Sequence, residues 1–425
     1  MSERVIGIGL LGLGNVAQGV VKLLRQNREI IERRSGKRFE VVRALVRDVG
    51  KIREIDGVEL TADPGVLLAD ERIEIVVELL GGLDPAYPLV MAALRHGKHV
   101  VTANKTLMAE HGEEILMLGE KTRKYVGFEA AVCAGIPLVR SLMEGLIANR
   151  IESFRGIVNG TTNYILTRMG EGLSYDEALK QAQTLGFAEP DPTVDVSGAD
   201  VAQKLAILSS IAFSAKISSS SIPCIGIDTI ETDDEHAARE YGYTIKMLAH
   251  GARSGDNGNF DLRVHPTLVP LDHPLASVHD ENNAVLLHGD AVGDILYYGK
   301  GAGALPTASG VLSDVVDIGG SRGFFPSIRI RTEKAKIETP ELRHYLRFAI
   351  TDKPGMIGRI TSALGNAGIS ITHANAHLPR GSVQSGRVRV LTHPAKRDVL
   401  AKVLDEIATW PDVEAQPLAL PLLEG

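Results

Sequence analysis

Two cysteines, Cys133 and Cys224, are the only thiols in 425 residues. That is too few for a disulfide framework or a thiolate zinc site. The chain has no long basic run and carries a formal net charge of −7, so nucleic acid and an anionic membrane surface are not expected partners. No apolar stretch approaches the roughly 20 residues that a bilayer-spanning helix needs. The N-terminus enters a strand pattern directly, without the charged region and cleavage site of a leader. These absences describe a cytoplasmic protein. Apolar residues make up 44% and charged residues 23%, which is ordinary for a globular chain. The length exceeds one ordinary core and implies two or three domains.

The first apolar run, Val5-Ile6-Gly7-Ile8-Gly9-Leu10-Leu11, ends in Gly12-Leu13-Gly14-Asn15-Val16-Ala17. Val20, Val21, Leu23 and Leu24 follow at helical spacing. A strand, a glycine turn and a helix form the context that a dinucleotide fingerprint requires. Gly12 makes the tight turn, Gly14 lets backbone approach a pyrophosphate at the helix N-terminus, and Ala17 is an allowed third position. By itself the pattern is weak, since such a glycine loop is often only a loop. A charged segment over 28–38 reads as an extension of the helix and its loop. The second strand, 41–46, ends in Arg47-Asp48. An acid there suits a ribose hydroxyl and an arginine suits a 2′-phosphate; Arg47 with Lys51 leans the choice to NADP, against a plain surface ion pair. A third strand over 73–80 ends in Gly81-Gly82, and a fourth delivers Thr102-Ala103-Asn104-Lys105 at its carboxyl end. Ligands sit at that edge of such sheets, although a lysine at a helix start is commonly just solvated.

In the middle of the chain, 125–137 ends a strand in small residues. Glu129 could supply a charged oxygen there, but the stretch alone reads better as a tight structural turn. Asn159-Gly160-Thr161-Thr162-Asn163-Tyr164 reads as a strand, a turn and a helix start, with Thr161 or Thr162 capping a helix over 164–169. Ser174-Tyr175-Asp176-Glu177 is a capping box opening the next helix. That helix leads into the most polar stretch, 186–204, which holds Glu189, Asp191, Asp195, Asp200 and Lys204. Pro190 and Pro192 stiffen its first half. From about Ser197 it reads as a helix that places Asp200 and Lys204 at i,i+4 on one face. A structural ion pair is the plain reading; so much acid on a rigid loop running into an apolar helix favours a site. The scattered histidines His265, His273, His279 and His288 lack metal-ligand spacing. Gly301 and Gly303 belong to a glycine-rich turn before a helix ending near Asp317, suited to a ligand or to a hinge.

Residues 331–343 are charged, contain Pro340 and read as a linker. After them comes a β-α-β-β-α-β pattern with no nucleophile–base or metal constellation, so the tail is expected to bind or assemble rather than catalyse.

Together these stretches resemble homoserine dehydrogenase over nearly the whole chain. The resemblance rests on Val77-Glu78-Leu79-Leu80-Gly81-Gly82, Val101-Thr102-Ala103-Asn104-Lys105, Asn159-Gly160-Thr161-Thr162-Asn163-Tyr164, 186–204 and 301–309. The tail resembles an ACT domain, from Asp352-Lys353-Pro354-Gly355 to Gly368-Ile369-Ser370-Ile371. The resemblance implies an α/β chain. A Rossmann-type nucleotide-binding domain would cover 1–140, completed by 300–330. An α+β catalytic and dimerisation domain would cover 141–299, and 344–425 would be a ferredoxin-like ACT domain. It implies NAD- or NADP-dependent interconversion of L-homoserine and L-aspartate 4-semialdehyde, with Lys204 and Lys105 handling the proton as hydride moves. Crowding by cations or partial desolvation can tune a lysine for that role. Glu189, Asp200 and Asp195 would hold substrate. The cofactor would meet Gly12, Leu13, Gly14, Asn15, Val16, Arg47, Thr102, Lys105, Gly186, Gly301 and Gly303. A sodium-type cation would take Glu129 and the carbonyls of Val132, Ala134 and Ile136. L-threonine is the expected effector, and a homodimer or homotetramer the expected assembly. Cys133 departs from the Gly or Ala typical of its position.

Two other readings compete. A phosphorylating semialdehyde dehydrogenase shares the cofactor fold and needs a nucleophilic cysteine, for which Cys133 is the candidate. A non-catalytic sensor of nucleotide and amino acid would need neither lysine.

Overall fold

A computed structural model describes residues 4–51, 55, 57–255, 258–320, 331–338, 340–377 and 385–424. The chain divides into two compact units. One comprises Met1–Gly160, Asp200–Ile222 and Glu281–Ala335; the other comprises Thr161–Ala199, Pro223–Asp280 and Lys336–Gly425.

The first unit opens with β1 (Val5–Leu11), α1 (Asn15–Gln26), α2 (Arg28–Ser35), β2 (Arg38–Leu45), β3 (Glu59–Thr61), α3 (Pro64–Ala69), β4 (Ile73–Glu78), α4 (Ala86–Arg95), β5 (His99–Thr102), α5 (Lys105–Thr122) and β6 (Val126–Gly127). The strands form one sheet in the order β3-β2-β1-β4-β5-β6. Every pairing is parallel. Parallel strands are covered on both faces and read as continuous apolar runs, and Ile6 to Leu11 are accordingly all buried. This strand order reverses between β1 and β4, the switch point where such sheets place ligands. The charged segment 28–38 departs from expectation. It folds as a separate helix, because Asn27 leaves helical geometry (φ −105°, ψ 16°) and breaks α1 from α2.

Beyond the sheet, α6 (Leu138–Arg140) precedes β7 (Ile151–Ile157) and α7 (Gly160–Gly170). The helix expected to start at Tyr164 begins at Gly160, so Thr161 and Thr162 are buried inside its first turn and do not cap it. Next come α8 (Tyr175–Thr184), α9 (Thr193–Val196), α10 (Ala199–Phe213), β8 (Ala215–Lys216) and α11 (Thr232–Glu240). The capping box at Ser174 forms as read. The helix expected from Ser197 is divided, with Gly198 at φ +84° separating α9 from α10. Two 12-residue strands, β9 (Tyr243–Ser254) and β10 (Asn259–Pro270), pair antiparallel in the second unit. In the first unit β11 (Asn282–Gly289) pairs antiparallel with β7 and with β12 (Gly293–Lys300).

α12 (Ala304–Gly319) returns to the nucleotide-binding sheet. Its Ala308, Val311, Leu312 and Val315 join the core formed by β1, α1 and β4. α1 and α12 approach closely at Gly19, where an added Cβ would lie 3.0 Å from the Ala304 carbonyl. Residues 321–330, the end of the expected completing segment, lie outside the described residues. The expected linker 331–343 contains two short strands, β13 (Arg331–Lys334) and β14 (Lys336–Ile337), which pair with β8 and β10. The tail is β15 (His344–Thr351), α13 (Met356–Asn366), β16 (Ile371–His377), β17 (Ser385–Thr392), α14 (Arg397–Ala408) and β18 (Leu418–Pro421). Its sheet order β16-β17-β15-β18 is that of the expected ferredoxin-like module. Met356, Ile360 and Leu364 of α13 and Leu400, Val403, Leu404 and Ile407 of α14 pack against one face of this sheet.

Candidate active site

At the carboxyl edge of the parallel sheet, Gly12 takes φ +97°, and a side chain there would press on the Leu79 carbonyl at 3.1 Å. Gly14 caps α1 with extended backbone and no side-chain bond, and no atom lies within 4 Å of where its Cβ would be. The first backbone N–H groups of α1 have no side-chain cap and stand at the positive end of the helix dipole, an arrangement that accepts a phosphate. Arg47 and Asp48 are exposed after β2, and the Asp48 carboxylate accepts the Gly50 N–H at 2.8 Å.

Glu78, fully buried at the end of β4, organises the next two turns. Its Oε1 accepts the Leu80 N–H at 2.7 Å, and its Oε2 accepts the Thr102 hydroxyl at 2.6 Å. Asn104 caps α5 by accepting the Leu107 N–H at 3.1 Å, while its amide donates to the Gly82 carbonyl at 2.6 Å. Lys105 thereby becomes the first residue of α5, its backbone fixed on both sides.

Lys105 reaches across to Asp200 in the first turns of α10. Its Nζ lies 2.5 Å from Asp200 Oδ1. Oδ2 of the same carboxylate takes the Lys204 ammonium at 2.8 Å and the Asn159 amide at 2.8 Å. Lys204 also donates to the Val158 carbonyl at 2.7 Å. The Asp200 side chain is 2% exposed, that of Lys204 11% and that of Lys105 38%, so the open side of the cluster is at Lys105. Burial alone would push the Asp200 carboxyl up, but the ammonium groups of Lys204 and Lys105 outweigh it and hold the group well below the usual carboxylate range. The i,i+4 ion pair is thus real and forms half of a lysine–carboxylate–lysine bridge. Asp200, expected to hold substrate, has Oδ2 hydrogen-bonded by the protein's own donors and Oδ1 paired in charge with Lys105.

The other expected substrate residues stand in the second unit. Glu189 is exposed, with its carbonyl accepting from Gln183 at 3.2 Å. Asp195 receives the Thr161 hydroxyl at 3.2 Å, and the same hydroxyl donates to the Phe187 carbonyl at 2.6 Å. Gly186 is exposed with φ +77°.

In the first unit, Glu129 is buried, and its carboxylate accepts the N–H groups of Val139 at 2.8 Å and Arg140 at 2.7 Å. Burial raises its pKa from the ordinary carboxylate value. Cys133 and Ala134 both lie in the left-handed region, at φ 50° and 51°. The Ala134 carbonyl faces Gly310, where a Cβ would approach it to 2.3 Å. At Gly301 a Cβ would overlap the Asn283 amide, and Gly303 at φ +106° turns the chain into α12. The Cys133 thiol is buried, and burial pushes its pKa up to about 11. Reactive cysteines have the opposite environment, which weighs against the competing reading that makes Cys133 a nucleophile.

Asn159, Glu78 and Asn104 lie in motifs visible in the sequence, but sequence alone assigns them no role. An asparagine directly before a helix-starting lysine is a legible cap signal. The pairings of Asn159 and Glu78 have no local signature.

Residues 137–316 match the family model for homoserine dehydrogenase, 12–129 match that for the homoserine dehydrogenase NAD binding domain, and 344–409 match the ACT domain. The homoserine dehydrogenase of Synechocystis is 40% identical over 442 aligned positions, covering 98% of this chain and 99% of that protein. That of Bacillus subtilis is 37% identical, covering 95% of each. A crystal structure of a homoserine dehydrogenase from Thiobacillus denitrificans superposes with a TM-score of 0.90 at 40% identity over 99% of both chains. A hyperthermophilic archaeal homoserine dehydrogenase in complex with NADPH gives 0.62 at 25% identity, covering 74% of this chain and 98% of that one.

Proposed function

The chain belongs to the homoserine dehydrogenase family, and from that premise we propose that Lys204 and Lys105 move the hydroxyl proton as L-homoserine and L-aspartate 4-semialdehyde interconvert. The supporting observation is the bridge itself: two lysines from separate helices fixed on one buried carboxylate, with Lys105 at the open side. A bound nicotinamide cofactor supplies the hydride acceptor or donor. The residues' own work is acid–base and positional. Lys204 takes the alcohol proton in oxidation as the free amine, after releasing its own proton to solvent, and in reduction the ammonium gives its proton to the aldehyde oxygen. Lys105 stabilises charge developing on that oxygen. Asp200 keeps both nitrogens in place, while Glu189 and Asp195 hold the substrate's polar groups.

Gly12, Leu13, Gly14, Asn15 and Val16 would hold the pyrophosphate, and Thr102, Gly186, Gly301 and Gly303 the remainder of the cofactor. NADP is the favoured form, with Arg47 receiving the 2′-phosphate; the NADPH-bound archaeal relative supports that preference. The Glu129 carboxylate and the carbonyls of Val132, Ala134 and Ile136 would supply an oxygen-only donor set. Such a set fits a hard monovalent cation of the sodium type, and the consecutive left-handed residues that reverse the chain there are consistent with it. An L-threonine effector acting through the ACT domain and a homodimeric or homotetrameric assembly complete the proposal.

Initial rates with L-homoserine and each cofactor, with and without L-threonine, test this reading. Robust NADP reduction that depends on Lys204 supports it. Turnover retained by Lys204→Ala removes Lys204 from the proton path. The phosphorylating alternative loses its nucleophile to the burial of Cys133.

A further inference from the structure

The open face of the ACT sheet is docked on α11 by charge. Arg347 of β15 lies 2.7 Å from Asp234 Oδ2 and 3.0 Å from Glu231, and Tyr345 donates its hydroxyl to Asp234 Oδ1 at 2.9 Å. Arg389 of β17 binds Asp233 at 2.5 Å. Asp234 and Tyr345 are 0% exposed and Arg347 7%, so this is an interior junction and not a surface decoration.

The polar contacts continue past α11. Glu235, next in sequence and 1% exposed, accepts the Ile245 N–H at 3.0 Å and the Thr244 hydroxyl at 3.3 Å on β9. The following residue with the same facing is Lys246, 2% exposed, which donates to the Val278 carbonyl at 2.6 Å and to Asn163 Oδ1 at 3.4 Å. Asn163 donates to the carbonyls of Val278 at 3.2 Å and Asp280 at 2.9 Å. It sits in the first turn of α7, two residues after Thr161, whose hydroxyl ties down Phe187 and Asp195. Tyr164, one residue on, places its ring 5.1 Å from that of Phe187.

A buried lysine and a buried glutamate on neighbouring elements are costly, and apolar residues of similar volume often do as well or better for stability. Burial drives Glu235 up to about 7 and Lys246 down to about 8, so neither charge is comfortable. Glu235 and Lys246 act on each other as opposite buried charges, and a buried set of polar groups of this kind can have discrete arrangements that both of its ends bias.

We propose that α11 is the coupling element of the second unit, transmitting the state of the ACT sheet through Glu235, Lys246 and Asn163 to the first turn of α7 and the segment 186–196. The consequence for substrate binding rests on the reading that Glu189 and Asp195 hold L-homoserine. Lys246 and Asn163 are positioning residues in it and touch no reacting atom.

The full-length protein decides this with Tyr345→Phe and Lys246→Met, singly and together. Two readouts are used: peptide-level hydrogen exchange, and initial rates in L-homoserine. Tyr345→Phe removes one hydroxyl at Asp234. It is expected to raise exchange by about fivefold in peptides spanning Gly160–Gly170 and 186–196, and to raise the homoserine KM by a similar factor while the cofactor KM holds. Independent sites act additively, whereas transmission through Lys246 predicts that the double variant shows no further rise in those peptides beyond Lys246→Met alone. Exchange changes confined to β15, β17 and α11, or strictly additive effects, overturn the proposal. Should Lys246→Met lose its cooperative unfolding transition, Thr244→Val takes its place in the cycle with the same expected and overturning results. If wild type fails to oxidise homoserine, the functional reading falls while the exchange data still decide the coupling.

Discussion

Asp200 in the first unit and Asp234 in the second are both buried against cations, and the two are tuned in opposite directions. Asp200 faces two lysines and an asparagine amide, and its carboxyl is held well below the usual range although burial opposes this. Asp234 meets Arg347 and the Tyr345 hydroxyl, yet burial dominates and raises its pKa to about 6. The difference is the number of close cations per carboxylate, set against comparable desolvation. With two ammonium groups in contact, Asp200 stays an anion over the physiological range and can fix two nitrogens for chemistry. With one principal guanidinium partner, Asp234 lies close to a balance point, which suits a junction that transmits change better than a site that must not change.

The largest expected effect breaks the first cluster. Lys204→Ala should lower kcat by about 10²–10⁴, the usual contribution of a positioned acid–base group, with cofactor affinity near wild type because the glycine turn at Gly12–Gly14 is untouched. Steady-state kinetics and cofactor titration measure both. Asp200→Asn should follow. It leaves the Lys204 ammonium, only 11% exposed, without its carboxylate, and the cost of removing one partner of a buried pair is about 3–5 kcal/mol of stability. Denaturant unfolding gives that number, and a loss below about 1 kcal/mol would mean that the bridge behaves like a surface ion pair.

Much of the first unit was legible because its signals are local. A glycine fingerprint after an apolar strand predicts a parallel sheet and a helix terminus open to phosphate, and β1, Gly12, Gly14 and α1 are placed accordingly. The i,i+4 relation of Asp200 and Lys204 is equally local and is observed. What escaped was set by tertiary contact. Lys105 is 95 positions before Asp200 and Asn159 is 41 before it, and no periodicity announces either pairing. The start of α7 was misread because Thr161 and Thr162 look like caps, whereas the fold buries them and uses the Thr161 hydroxyl to hold Phe187. The ACT module's elements were readable, but the docking of Arg347 and Arg389 on α11 was not, since a charged residue on a strand usually faces water.

A smaller effect sharpens the comparison through pH. Burial raises the Asp234 carboxyl from the ordinary aspartate value to about 6. Its contribution to stability is therefore fully present below the unfolded value and is lost as pH rises through about 6. A shift of roughly two units corresponds to about 3 kcal/mol between the two limits. Asp234→Asn should accordingly flatten the stability profile between about pH 4 and pH 7 relative to wild type. Asp200 has the opposite sign: its contribution is present above the unfolded value and is lost only in strong acid. If the two variants flatten the same pH window, the contrast between the clusters is wrong.

The smallest expected effect separates burial from reactivity at Cys133. Its thiol is enclosed, pushed up to about 11, and held in left-handed backbone at φ 50°. At neutral pH almost none of it is thiolate, and its burial keeps a substrate carbonyl from the sulfur. Cys133→Ala should therefore leave kcat within about twofold, and trimming one sulfur should cost on the order of 1 kcal/mol through the small void it leaves. Cys133→Gly should recover part of that loss, because glycine adopts the left-handed conformation without steric penalty. Alkylation kinetics on the native protein add an independent check. Slow labelling of Cys133 and faster labelling of the exposed Cys224 are expected, and rapid labelling of Cys133 with concurrent loss of turnover would restore it as a nucleophile and displace the two lysines from the centre of the chemistry.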